Sequence, residues 1–141
     1  MPVAVKRIYE KPVKADGNRV LVDRLWPRGL TKDAAALHAW LRELAPSDAL
    51  RTWFHANMEG WVQFRRRYLK ELRNPECLPA LEELYALSTR KTRLTLLFAS
   101  KNTEQNNATV LRGLITGMKK PPTGTGPAGA VAVRRRAVRR G

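Results

Sequence analysis

Leu94-Thr95-Leu96-Leu97-Phe98-Ala99 is the strongest strand in the chain, and Val20 to Leu25 reads as a second that opens on the apolar run Val20-Leu21-Val22. A strand that is apolar on both faces needs cover on both, which is the environment of a parallel sheet between helices. Helical segments separate the two runs, and that order implies parallel pairing with right-handed crossovers. The expected fold is α/β, a small layered domain over residues 1–117 with a short, mainly parallel sheet and helices packed around it.

Local signals place the remaining elements. Val3 to Tyr9 reads as a strand and Ala15-Asp16-Gly17-Asn18 as a turn. Thr31-Lys32-Asp33 offers a helix cap, and Leu37, Trp40, Leu41 and Leu44 follow at i, i+3, i+4 and i+7, which predicts a half-buried helix. Pro46-Ser47 ends that helix and caps a short one through Trp53-Phe54. Glu59 to Arg73 is the clearest helix, with Trp61, Phe64, Tyr68 and Leu72 along one face. Another helix starts at Asn74-Pro75-Glu76, and a last one is expected from Glu104 to Ile115.

Charge divides the chain unevenly. The formal net charge is +15, of which residues 118–141 carry +7 with no acid, leaving +8 for residues 1–117. Pro121 to Gly129 is rich in breakers and lacks apolar periodicity, so a disordered linker is expected there. It leads to Arg134, Arg135, Arg136, Arg139 and Arg140, which suit weak, non-specific nucleic-acid contact. A solvated basic tail is the plainer reading. The same choice holds for Arg65, Arg66, Arg67, Lys70 and Arg73, whose stems can simply cover apolar surface. No stretch approaches the roughly 20 apolar residues of a membrane span, so no membrane partner is expected. The first residues, Met1 to Arg7, lack the apolar centre of a secretory signal, and Cys77 is the only cysteine. Both suit a cytoplasmic protein.

Ligands in open α/β sheets collect at the carboxyl ends of strands. One such junction is Asp23-Arg24-Leu25-Trp26-Pro27-Arg28-Gly29, where two arginines flank an aromatic ring. The other is Ser100 to Asn107, where a strand feeds a helix start that favours anions. If the two ends meet, Arg24, Arg28 and Lys101 surround one cleft, with Trp26 to pack on a ligand and Asn106 to add directional hydrogen bonds. Each residue also has a structural explanation: an ion pair for Asp23 or Arg24, core for Trp26, helix caps for Asn102, Thr103 and the asparagines after them. No metal site and no cofactor is expected, because the chain has no glycine-rich phosphate loop and no dinucleotide fingerprint. His38 and His55 are the only histidines, and neither has metal-ligand spacing. His55, after Trp53-Phe54, is the one candidate proton carrier.

Together, Arg19 to Gly29, Trp61-x-x-Phe64-Arg65-Arg66-Arg67-Tyr68 and Leu94 to Asn107 with Ala108-x-Val110-Leu111 resemble the DUF488 family, in its YeaO-like branch. The resemblance spans roughly residues 3–116. It implies an α/β fold and names no activity. Family members read Lys-Asp-x-x-His-Asn at the last junction, where this chain has Lys101, Asn102, Gln105 and Asn106. Near residue 56 they carry His-Asp, where Ala56-Asn57 stand here with His55 one place earlier. Amides keep hydrogen bonding but carry no proton near neutral pH, so the substitutions favour binding over catalysis.

Three functions fit these residues. The first is binding of a small phosphate- or carboxylate-bearing ligand at the strand-end cleft. The second is an enzyme on such a ligand with His55 as proton carrier. The third is a nucleic-acid-binding accessory protein that uses the basic tail.

Overall fold

The computed structural model describes residues 3–122. Four parallel strands, β1 (Val3–Arg7), β2 (Asn18–Leu21), β3 (Ala39–Trp40) and β4 (Leu94–Phe98), stand in the order β1-β4-β2-β3. The helices are α1 (Lys32–Ala35), α2 (Asp48–Ala56), α3 (Trp61–Glu71), α4 (Leu78–Ser88) and α5 (Asn107–Gly117). This is the expected α/β architecture. The expected tail, residues 118–141, lies almost wholly outside the described residues.

The two apolar runs are the central strands, in register Val20↔Leu96 and Leu21↔Leu97. Their side chains alternate between two apolar layers. Val20, Val22, Leu94, Leu96 and Phe98 join the main core with the large helices. Leu21 and Leu97 face the other side with Ile8, Ala35, Trp26 and Trp40. All five residues Val20, Leu21, Val22, Leu96 and Leu97 are fully buried. At about 1.5–3 kcal/mol per large aliphatic side chain, this pair of strands anchors the domain. The second layer also holds a buried ionic knot: Asp16 accepts from Arg19 Nη1 at 2.7 Å and Lys6 Nζ at 3.0 Å, and Arg19 Nε donates to Ala35 O at 3.0 Å.

One expected helix is a strand. α1 stops at Ala35, and Ala36 takes a left-handed conformation at φ 49°. The chain then runs beside β2, with His38 N donating to Arg19 O at 2.7 Å and Leu41 N to Leu21 O at 2.9 Å. The i, i+3, i+4, i+7 stripe is real but divided: Leu41 and Leu44 enter the main core, while Leu37 and Trp40 pack on the opposite layer. A helix cannot serve both faces of a sheet, and an edge strand can. β2 is also shorter than expected. It ends at Leu21, and Leu25 is 61% exposed.

The expected short helix is α2, capped by Ser47 Oγ, which accepts from Leu50 N at 3.1 Å. Phe54 of α2 stacks on Phe64 of α3 with ring centroids 4.4 Å apart, and Phe64 meets Tyr68 at 5.7 Å. The buried Tyr68 hydroxyl donates to Leu44 O. This aromatic column fixes α2 and α3 over the carboxyl end of the sheet.

Candidate functional site

β2 and β4 are neighbours, and their chains leave in different directions. β2 leads toward α1 and β3 on one side, while β4 leads to α5, which packs on β1 and β4. A crevice opens between the diverging exits, as expected where connections part at the carboxyl edge of a sheet.

Asp23 holds the two exits together. Its Oδ2 accepts from Ala99 N at 2.9 Å, just past β4, and its Oδ1 accepts from Asn107 Nδ2 at 3.0 Å, at the start of α5. Asn107 Nδ2 also donates to Val22 O at 2.9 Å. The Asp23 side chain replaces the strand ladder at this point, which is why β2 ends so early. Burial pushes the Asp23 carboxyl above its ordinary value, against the opposing pull of Asn107, the Ala99 N–H and Arg51.

The cleft above this latch measures about 590 Å³. It is lined by residues of both junctions, including Arg24, Trp26, Arg28, Lys101 and Asn106, and by Arg51 and His55 of α2. Arg28 and Lys101 are exposed, and their side chains make no hydrogen bond or ion pair among the described residues. Arg24 Nε is buried without a hydrogen bond, and its ion-pair contact with Asp48 Oδ1 is long, at 3.9 Å. Arg51 pairs with the same carboxylate at 3.4 Å. Trp26 is anchored by Nε1 donating to Leu30 O at 2.6 Å and by an edge contact with Trp40 at 5.3 Å.

Asn106, expected as a ligand contact, lines the cleft with both ends of its amide bonded to backbone. Its Oδ1 caps α5 by accepting from Thr109 N at 3.0 Å, and its Nδ2 donates to Asn102 O at 2.8 Å. Both ends of the amide are spent on backbone and the residue is 3% exposed, so it shapes the cleft wall. α5 accordingly starts at Asn107, three residues later than the periodicity suggested. Asn102 Oδ1 is likewise occupied, accepting from Glu104 N and Gln105 N, but its NH₂ is free of any partner among the described residues. Gln105 is exposed beside it. Arg51 and Met58 are cleft residues that sequence reasoning passed over, and Asp23 was read only as an ion-pair candidate. The partners of Asp23, Ala99 and Asn107, lie far along the chain, and nothing local in α2 points Arg51 at this place.

His55 is exposed in the last turn of α2 and borders the cleft, whereas His38 is exposed on the approach to β3. Among the described residues no group of three His, Cys, Asp or Glu side chains is arranged to hold a metal ion. Cys77 lies elsewhere, buried, with its thiol pushed up to about 11 by burial and by neighbouring glutamates. A shallower groove of about 780 Å³ runs beside α3 and includes Arg67, Lys70 and Arg73. Arg67 there lies over the Trp53 ring at 4.4 Å. Arg134, Arg135, Arg136, Arg139 and Arg140 lie outside the described residues. No helix among the described residues is long and apolar enough to cross a membrane.

Comparison with known proteins adds a family. A profile described as "Inactive DUF488-N3 subclade" matches residues 2–125. The chain is 43% identical over 113 residues to the uncharacterized protein YeaO of Escherichia coli, covering 79% of this chain and 94% of that one. It is 37% identical over 115 residues to the uncharacterized protein Rv3073c of Mycobacterium tuberculosis, covering 82% of this chain and 94% of that one. No solved structure matches.

Proposed function

The chain belongs to the DUF488 family, in the branch described as its inactive DUF488-N3 subclade, and we propose that it is a cytoplasmic protein that binds a small anionic ligand in the strand-end cleft. One observation carries the reading. Arg28 and Lys101 line one cleft with exposed side chains that have no hydrogen bond or ion pair among the described residues, and Arg24, its side chain 39% exposed beside Asp48, lines it with them. Arginine forks and a lysine suit phosphate or carboxylate oxygens.

Binding is favoured over turnover. The family description says inactive, and Asn102 and Gln105 stand where the resemblance puts an acid and a histidine, so neither carries a proton near neutral pH. His55 is the residue that keeps an enzyme in view, and turnover abolished by His55→Ala would move the assignment there. The nucleic-acid reading rests on the α3 cations and the tail; a steep salt slope lost on removing residues 118–141 would favour it.

The test is a thermal-shift panel of phosphate- and carboxylate-bearing small molecules on wild type, Arg28→Ala and Lys101→Ala. Ligand binding to the folded state raises Tm by mass action. At least one compound should stabilise wild type and lose its effect in both variants. Equal shifts in all three proteins, or none in any, would sink the proposal.

A further inference from the structure

We infer, resting on the anion-binding reading, that the ligand is a nucleoside monophosphate, whose base lies against the apolar side of the cleft while its phosphate meets the cations. A volume of about 590 Å³ falls within the roughly 300–1,000 Å³ of small-molecule sites and is far more than an inorganic anion fills. The remaining space is apolar in character. Among the described residues five large hydrophobic side chains are exposed, and three of them line this cleft: Tyr9 at 43%, Leu25 at 61% and Met58 at 55%. Partly exposed Trp26 and Phe54 stand with them. Exposed apolar surface gathered at one cavity marks a place that another molecule covers.

Sugar phosphates offer hydroxyls to such a wall, and hydroxyls gain nothing from it. A flat heteroaromatic ring gains by stacking and by removing apolar area from water. Such a ring also has a polar edge. The free NH₂ of Asn102 and the exposed amide of Gln105 present donors and an acceptor at the same cleft, as recognition of a base edge requires. Cations, rings and amides converge in one cavity, and a base carrying a phosphate is the ligand chemistry that uses all three.

Isothermal titration of the full chain at about 0.15 M salt, where loose charge attraction is screened, decides the matter. The titrants are AMP, GMP, CMP and UMP, with ribose 5-phosphate, the parent nucleosides and pyrophosphate as comparators. At least one nucleotide should bind roughly tenfold tighter than ribose 5-phosphate, the scale of one stacked base. Met58→Ala and Gln105→Ala, both at exposed positions, should weaken that nucleotide and leave ribose 5-phosphate unchanged. Lys101→Ala should weaken both. Ribose 5-phosphate binding as tightly as every nucleotide would overturn the inference and leave the anion site standing. Nucleotide binding that Met58→Ala and Gln105→Ala both leave intact would also overturn it. Absence of binding by every phosphate compound, pyrophosphate included, would overturn the inference and the phosphate form of the anion site.

Discussion

Replacing Asp23 with alanine should loosen the junction on which the cleft is built. The substitution removes the acceptor for Ala99 N at 2.9 Å and one of two acceptors for Asn107 Nδ2, at 3.0 Å. Asn107 keeps Val22 O, so a single backbone donor is stranded. Hydrogen bonds to a charged group contribute about 1.5–3 kcal/mol each, and a stranded buried donor costs about 1–3 kcal/mol. Against this, alanine relieves the burial of a carboxylate whose pKa is raised, so ionised Asp23 is itself disfavoured in the fold. The net expectation is a loss of about 2 kcal/mol at neutral pH, a drop of roughly 1 M in the urea midpoint at an ordinary slope. Asp23→Asn keeps one acceptor for Ala99 N but sets its NH₂ against that of Asn107, and should lose about 1 kcal/mol. The pH dependence has a definite sign. A carboxyl raised above 3.8 in the fold contributes fully when protonated, and that contribution fades as pH rises through the raised value. The gap between wild type and Asp23→Ala should therefore be wider in mild acid than at pH 7. Urea unfolding at both pH values measures it. A variant within about 0.5 kcal/mol of wild type at both would refute the latch, since surface changes alone fall in that range.

Three further outcomes follow from the scaffold. Gly17→Ala should cost more than about 2 kcal/mol in urea unfolding, because a Cβ there would sit 2.2 Å from Arg93 O at φ +66°, whereas Gly29→Ala at φ +77° meets nothing and should cost about 1 kcal/mol. Asp16→Asn should cost about 3 kcal/mol at pH 7, and the difference from wild type should shrink in acid. Burial alone would raise the Asp16 carboxyl, but bonds from Lys6, the Val13 N–H and Arg19 outweigh it, so its contribution is present above 3.8 and lost as pH falls through the lowered value. Cys77 should resist iodoacetamide at pH 8 in the folded protein and react once urea unfolds it, since burial holds the thiol near 11; rapid labelling of the native state would contradict the packing around it.

The fold was legible where a segment's pattern had one physical solution. The runs at Val20 and Leu94 needed cover on both sides and became the central strands. Ser47 was legible as a cap because nothing else explained a serine after Pro46. The stripe from Leu37 to Leu44 had two solutions, and pairing of His38 and Leu41 with β2 selected the strand. Short-range periodicity does not register a partner that lies elsewhere in the chain. At the site, the meeting of the two junctions followed from strand-end logic, and Arg24, Trp26, Arg28 and Lys101 do line one cleft. The division of labour did not follow. Asn106 was open to a ligand or a helix cap and Asp23 to an ion pair, and the donors they accept from, Thr109 N and Ala99 N, are placed only by the fold.

Amide chemical shifts read the cleft residue by residue. Titrating pyrophosphate into the ¹⁵N-labelled full chain should move the amides of Asp23 to Gly29, Pro27 aside, and of Ser100 to Asn107 along one saturating curve, and Lys101→Ala should weaken that binding. Shifts confined to Arg65–Arg73 or the basic tail, or shifts at the two junctions that survive Lys101→Ala undiminished, would contradict the account.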